Sequence, residues 1–96
     1  MIIRSIIHKG LREFVEDGDR SGIDSKTVPK LINIISFLQA MKSPDELYGI
    51  KSWHVHQLKG DMKGVWSLSV TRNWRLTFRI DKDAIEVIDL NLIDYH

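Results

Sequence analysis

The sequence contains no cysteine, which excludes disulfide bonds and thiolate metal sites. It also has no apolar run of about 18 residues, the length that a membrane-spanning helix requires. Its opening, MIIRSIIHKG, is too short and too charged for a secretory signal. These absences predict a cytoplasmic protein. A length of 96 residues predicts a single domain over residues 1–96.

Positive charge is concentrated in one part of the chain. From Lys51 to Arg79 there are six lysines and arginines but one acid, Asp61, although the net charge of the whole chain is only +1. All three tryptophans lie in the same stretch. A cationic surface in a nearly neutral protein is typical of a local site that binds a polyanion.

Apolar residues at helical spacing predict two helices. Leu11, Phe14 and Val15 indicate a short helix that ends at Gly18. A longer helix is predicted over residues 28–41, ended by the Lys-Ser-Pro sequence that follows. Its apolar stripe comprises Val28, Leu31, Ile32, Ile35 and Leu38, widened by Ile34, Phe37 and Met41. Its expected N-terminal features are a capping residue, Asp24 or Ser25, and a proline in the first turn, Pro29.

Alternating apolar and polar residues predict strands in the second half of the chain. The expected strands cover residues 53–58, 66–70, 74–80 and 84–92, and a fifth strand is expected at residues 1–7. The pattern predicts an α+β fold, with an N-terminal strand and two helices packed on one face of a mainly antiparallel sheet of four to five strands. The opposite face should present Ser67, Ser69, Arg75, Thr77 and Arg79.

Several short motifs recur together in this sequence. They are Leu58-Lys59-Gly60-Asp61, Trp66-Ser67, Asn73-Trp74-Arg75-Leu76-Thr77-Phe78 and the ending Asp94-Tyr95-His96. With these motifs the chain resembles, over nearly its whole length, the HigB branch of the RelE-like bacterial toxins, or plasmid maintenance system killer proteins. The resemblance implies a compact RelE-like fold and the toxin of a type II toxin–antitoxin system.

The resemblance also implies an activity and its partners. Such toxins are endoribonucleases that cut mRNA in the decoding site of the ribosome, use no metal or other cofactor, and so inhibit translation. The implied partners are the ribosome, mRNA and a HigA-type antitoxin with a helix-turn-helix domain. The toxin–antitoxin complex is expected to bind operator DNA through the antitoxin.

Candidate site residues follow from the same resemblance. The implied catalytic residues are His56, Lys59, Arg75 and His96; the implied RNA-binding residues are Arg72, Tyr95 and Lys63; Asp94 is expected to orient a neighbour. These residue types suit RNA cleavage, because the 2′-hydroxyl of RNA can attack the adjacent phosphate once a base takes its proton. Arginine can bond two phosphate oxygens, and histidines exchange protons near neutral pH. Which histidine is the base and which is the acid stays open.

One segment departs from the family pattern. Asn91-Leu92-Ile93 stands where the family usually has Tyr and Glu, so an acid is absent next to the terminal residues. This departure motivates an alternative function, a catalytically weak or inactive RelE-like protein that acts as an antitoxin-binding or ribosome-binding module. A DNA-binding protein is disfavoured, because the chain lacks a helix-turn-helix signal and carries its positive charge on predicted strands.

Two features of the predicted sheet have simpler interpretations. His54 and His56 would lie on one strand face and could form a metal-binding pair, but no third ligand is evident. Arg79 is expected to belong to a solvated strand surface and to pair with Glu86 and Asp89 of the next strand.

Overall fold

The computed structural model describes residues 1–94, and in them two helices precede a four-stranded sheet. The elements are α1 (Lys9–Asp17), α2 (Val28–Ala40), β1 (His56–Gln57), β2 (Trp66–Ser69), β3 (Trp74–Asp81) and β4 (Glu86–Asp94). The strands lie in the order β1-β2-β3-β4, and each is antiparallel to its neighbour. The predicted α+β fold with a mainly antiparallel sheet is therefore confirmed.

The N-terminal segment runs beside β4 in the parallel direction. It forms two isolated bridges, from Ile3 to Val87 and from Ile6 to Leu90, instead of a continuous strand. The backbone amide of Arg4 donates to the carbonyl of Val87 at 2.8 Å, which fixes the first bridge. The predicted first strand is thus present only as two bridges, and its place beside β4 was not predicted.

Local hydrogen bonds set the ends of α1. The Nδ1 atom of His8 accepts a hydrogen bond from the amide of Leu11 at 3.0 Å, which satisfies one of the unpaired donors of the first turn. Gly18 follows the helix with a φ of 74°, in the left-handed region that favours glycine. The predicted end of this helix is confirmed.

Helix α2 covers one face of the sheet, with two differences from expectation. Its buried residues are Val28, Leu31, Ile34, Ile35 and Leu38. Ile32 is 41% exposed and does not belong to the buried stripe, whereas Ile34 is fully buried. Pro29 lies in the first turn as predicted. The expected cap at Asp24 or Ser25 is wrong, since Thr27 is the capping residue and makes no capping bond through its side chain.

The core lies between this helix and the inner face of the sheet. The inner face contributes Trp66, Leu68, Val70, Leu76 and Phe78, all of which are buried. The rings of Trp66 and Phe78 stack with their centres 6.3 Å apart. The alternation of residues along β2 and β3 therefore leaves the polar residues on the outer face, as predicted.

The strand expected over residues 53–58 is wrong. Lys51–Trp53 forms a 3-10 turn, and only His56–Gln57 pairs with β2. The ring of Trp53 meets that of Phe37 edge to face at 5.3 Å, so this tryptophan packs on α2. His54 then adopts a left-handed conformation, with φ 48° and ψ 50°, and is not on a strand face with His56.

The connection between β1 and β2 is longer than a tight hairpin. Gly60–Met62 forms a 3-10 turn, closed by a hydrogen bond from the amide of Lys63 to the carbonyl of Gly60 at 3.0 Å. Arg79 donates to the carbonyl of Lys63 at 3.2 Å. The expected pairing of Arg79 with Glu86 is wrong, because the Glu86 carboxylate binds Arg4 instead.

None of the helices within residues 1–94 combines the length and the apolar character needed to cross a membrane.

Candidate active site

A cleft of about 300 Å³ opens on the outer face of the sheet. Its lining residues are His56, Leu58, Ser67, Arg75, Thr77, Ile93 and Asp94. Three of the predicted site residues, His56, Arg75 and Asp94, therefore meet in one cleft although they are distant in the sequence. A cleft of this kind is the default location for a binding or active site.

The register of the sheet explains why these residues meet. His56 lies opposite Ser67 of β2, and Ser67 lies opposite Thr77 of β3. Arg75, two residues before Thr77, therefore shares its face, because side chains alternate along a strand. Ser67 and Thr77 are short and buried, so the larger side chains of His56 and Arg75 stand around a depression.

Arg75 is oriented by its neighbour in the sheet. Its Nη1 atom donates a hydrogen bond to the hydroxyl of Ser69, which is also its register partner in β2. This bond holds one edge of the planar guanidinium against the wall of the cleft. The planar group is suited to bonding two oxygens of a phosphate.

His56 is oriented by the turn that precedes β1. Its Nδ1 atom lies 2.9 Å from the carbonyl oxygen of His54. A carbonyl oxygen can only accept a hydrogen bond, so the contact assigns the proton to Nδ1. Nε2 is then the nitrogen that can accept a proton from a ligand. The left-handed conformation of His54 places that carbonyl where it selects the tautomer.

The remaining predicted residues have different positions. Lys59 and Lys63 are exposed at the two ends of the 3-10 turn after β1, outside the cleft lining but close to Leu58, which belongs to it. Arg72 lies in the turn between β2 and β3 and lines a neighbouring groove. The roles of these three residues stay predictions.

Tyr95 and His96 lie outside the described residues, and their roles also stay predictions. Asp94, the last described residue, ends β4 opposite Trp74. Within residues 1–94, no group of three or more histidine and acidic side chains lies close enough together to hold a metal ion.

Four residues of the cleft were not predicted as site residues: Leu58, Ser67, Thr77 and Ile93. Alternation along the strands already placed Ser67 and Thr77 on the face of Arg75. This alternation was the signal that could have identified both residues as part of the site. Ile93 is the register partner of Arg75 in β4 and is 40% exposed. The departure from the family pattern therefore lies inside the cleft.

Comparison with known proteins gives the family of the chain. Residues 4–96 match the family described as the RelE-like toxin of the type II toxin–antitoxin system HigB. This chain belongs to the HigB-like toxin family. The HigB-like chain is also similar to Endoribonuclease HigB of Proteus vulgaris, with 39% identity over 98 residues that cover 99% of this chain and 100% of that relative.

Solved structures share the fold of this HigB-like toxin. A mutant of YafQ from E. coli aligns with a TM-score of 0.57 and 14% identity, covering 96% of this chain and 92% of that one. The YoeB/ParE toxin from Agrobacterium tumefaciens aligns with a TM-score of 0.55 and 21% identity, covering 98% and 94%. These similarities confirm the predicted RelE-like fold.

Proposed function

We propose that this HigB-like toxin is an endoribonuclease that cuts mRNA in the decoding site of the ribosome, and that the cut occurs in the cleft. The observation that carries the proposal is the meeting of an oriented histidine, His56, with an oriented arginine, Arg75, in one cleft on the outer face. The name of the Proteus vulgaris relative, an endoribonuclease of nearly the same length, supports the same activity.

The proposed reaction uses the nucleophile that RNA itself carries. The 2′-oxygen forms a bond to the adjacent phosphorus while the bond from phosphorus to the 5′-oxygen breaks. One proton leaves the 2′-hydroxyl and another must reach the 5′-oxygen, so a base and an acid are needed. The products are a 2′,3′-cyclic phosphate and a 5′-hydroxyl. Because the substrate supplies the nucleophile, the reaction needs no metal-bound water.

His56 and Arg75 suit two parts of this reaction. Nε2 of His56 exchanges one of the two protons, because the carbonyl of His54 holds Nδ1. Arg75 stabilises the negative charge that develops on the phosphate oxygens. His96 is proposed to exchange the second proton. The supporting roles proposed are a nearby positive charge for Lys59, RNA contacts for Lys63, Arg72 and Tyr95, and orientation of a neighbour for Asp94.

The proposed setting follows from the family. We propose that residues 1–96 form one toxin domain that acts in the cytoplasm on translating ribosomes. A HigA-type antitoxin is its proposed partner, and the complex of the two is proposed to bind operator DNA through the antitoxin. The description of the family as toxins of type II toxin–antitoxin systems supports an antitoxin partner.

A second candidate function rests on Ile93. This apolar side chain lies opposite Arg75 and lines the cleft, where the family usually has an acid nearby. A toxin with weakened chemistry would still bind its antitoxin or occupy the ribosome. It would either inhibit growth or have no effect on growth, and in both cases it would not cut mRNA.

The test is to map mRNA 5′ ends by primer extension after brief induction of the wild type, of Arg75→Ala and of Arg20→Ala. Arg20→Ala is a matched control, since it removes an exposed arginine from the turn after α1. We expect new, translation-dependent ends in the wild type and the control but not in Arg75→Ala. Growth arrest without new ends would support the binding module. Equal cutting by a folded Arg75→Ala variant would remove Arg75 from the mechanism.

A further inference from the structure

A second groove continues from the cleft along the sheet. It has a volume of about 330 Å³ and is lined by Lys30, Ser52, His54, Ser69, Val70, Thr71, Arg72 and Arg75. Arg75 lines both the cleft and this groove, so the two concavities are adjacent at this residue. We call this second concavity the cationic groove. Lys30 and the side chain of His54 belong to it but have no part in the reaction described above, which uses only the backbone carbonyl of His54.

The charge of the cationic groove has one sign. Lys30, Arg72 and Arg75 carry permanent positive charges, His54 can add another, and the lining contains no carboxylate among the described residues. The hydroxyls of Ser52 and Thr71 are further donors that suit phosphate oxygens. A positively charged groove of this composition is typical of proteins that follow the backbone of a single-stranded nucleic acid.

Three separate segments bring these cations together. Lys30 comes from the first turn of α2, His54 follows the 3-10 turn before β1, and Arg72 lies between β2 and β3. All three residues are exposed. The cluster therefore forms when α2 packs against the sheet, and no single stretch of sequence contains these three residues together.

Lys30 and His54 are placed at some cost to local stability. A lysine in the first turn of a helix opposes the helix dipole, which favours negative charge there. His54 adopts a left-handed conformation that non-glycine residues seldom use. Neither position is explained by packing, because both residues are exposed. A ligand that needs positive charge explains the placement of Lys30, whereas the left-handed conformation of His54 also places the carbonyl that holds His56.

The cationic groove leads towards an aromatic side chain. A third concavity, lined by Lys30, Asn33, Ser52, Trp53, Ser69 and Val70, shares four residues with it. Trp53 is only partly buried, where it packs on Phe37. A base of a bound strand can stack on such a ring at the far end of the groove.

We propose that Lys30 and His54 bind phosphates of an RNA strand that extends from the cleft along the cationic groove. This inference rests on the proposed function, and it adds the path of the RNA beyond the scissile phosphate. The ligand is the RNA backbone. It belongs either to the message or to ribosomal RNA that lies beside the message in the decoding site.

The test measures binding of a short fluorescent single-stranded RNA by anisotropy at several salt concentrations. The RNA carries 2′-O-methyl groups, which block the nucleophile and prevent cleavage. For Lys30→Ala we expect several-fold weaker binding, and a slope of log K against log salt that is smaller by about 0.7, the value for one phosphate contact on a single strand. His54→Asn should also weaken binding, because asparagine tolerates the left-handed conformation but cannot carry the charge.

Lys82→Ala is the matched control. It removes an exposed lysine from the turn between β3 and β4, outside the cationic groove, and should leave both affinity and salt slope at the wild-type values. Melting temperatures of the variants should not fall below that of the wild type, since the three residues are exposed. Wild-type affinity and slope in both Lys30→Ala and His54→Asn, with free RNA and also on ribosomes, would overturn the proposal.

A parallel measurement on ribosomes carrying a 2′-O-methylated message identifies the source of the RNA. The same measurement is made on ribosomes without message. A Lys30 effect that requires the message assigns the groove to the message, and an equal effect without message assigns it to ribosomal RNA. Cleavage of unmodified message separates this inference from the proposed function. If the wild type cuts RNA but Lys30→Ala binds like the wild type in both assays, only the groove assignment fails. If Lys30-dependent binding is present without cleavage, only the nuclease assignment fails.

Discussion

His56 and Arg75 are each oriented by a contact to a nearby residue. The ring of His56 lies 2.9 Å from the carbonyl of His54, and Arg75 binds the hydroxyl of Ser69. Orientation before the substrate binds is valuable, because a correctly placed group need not be reorganised during the reaction. The two contacts therefore make these residues the best candidates for quantitative tests.

The variant His56→Asn separates orientation from proton transfer. The asparagine side-chain amide can still donate to the carbonyl of His54, but it cannot take up a proton. We expect cleavage in a translating extract to fall by about 10²–10⁴-fold, the usual contribution of a general acid or base. The melting temperature should stay at the wild-type value, because residue 56 is exposed. Cleavage at the wild-type rate would limit His56 to a positioning role.

The cationic groove contains some residues that could be predicted from the sequence and others that could not. Strict alternation along β3 was enough to place Arg75 on a polar face with Thr77. The role of Lys30 could not be predicted, because its neighbours in the groove come from segments that only tertiary packing brings to α2. The role of the His54 carbonyl could not be predicted either, since no sequence pattern indicates a left-handed conformation for this histidine.

At the scale of elements, α1 and the following loop approach unusually closely. A Cβ atom built on Gly10 would lie 2.5 Å from the carbonyl oxygen of Gly22, and one built on Gly22 would lie 2.7 Å from the Cα of Gly10. Both contacts are to backbone, so no side chain can move to relieve them. Two glycines are therefore required for the loop to lie on the first turn of α1.

Gly10→Ala should consequently reduce stability. We expect a loss of about 2–3 kcal/mol in the free energy of unfolding, the upper range for overpacked sites. Chemical denaturation followed by circular dichroism measures this loss. Gly49→Ala is the matched control, because a Cβ at Gly49 meets nothing within 4 Å. Equal stability of the two variants would show that the loop moves away at little cost.

The turn between β3 and β4 contains a strained residue. Ile85 has a φ of 57°, a conformation that β-branched residues avoid, and it is 54% exposed. We expect Ile85→Asn to raise the free energy of unfolding by about 1 kcal/mol, because asparagine adopts this conformation more readily. Ile85→Val keeps the β-branch and should give no gain. Thermal melts of both variants measure the difference, and a gain with valine would point to a cause other than strain.

Prediction of elements succeeded where the strand pattern was clear. Alternation of apolar and polar residues predicted β2 and β3, and a high content of isoleucine and valine predicted β4. The stretch from Trp53 to Leu58 failed because six alternating residues also fit a 3-10 turn that packs Trp53 on Phe37. Ile32 was misassigned because it lies at the edge of the apolar face of α2, and the sequence pattern does not show how far the buried part of that face extends.

At the scale of the whole molecule, the start of the chain is tied to the last hairpin. Nη1 of Arg4 lies 2.8 Å from a carboxylate oxygen of Asp81 and 3.2 Å from one of Glu86. The parallel bridges from Ile3 and Ile6 to β4 lie beside this ion pair. Pairing across such a long sequence separation depends on the global topology. The sequence pattern therefore predicted a first strand but not its pairing with β4.

This connection should make stability depend on pH through Asp81. The amide of Ala84 and the side chain of Arg4 are the main groups that hold the pKa of the Asp81 carboxyl below its ordinary value. A lowered pKa in the folded state means that the charged form stabilises the fold. Its contribution is complete above the unfolded pKa of about 3.9 and is lost as the pH falls through the lower, folded value.

Asp81→Asn should therefore lower the melting temperature at neutral pH, and the gap from the wild type should close as the pH falls below about 4. Melting curves recorded by circular dichroism over this pH range measure the gap. Asp83→Asn removes an exposed acid from the same turn, outside the contacts of Arg4, and should leave the melting temperature unchanged. A gap for Asp81→Asn that persists in acid would assign the effect to packing of the turn. A gap that closes would show that the charged carboxylate of Asp81 stabilises the fold, through the amides of its own turn and through Arg4 of the N-terminal segment.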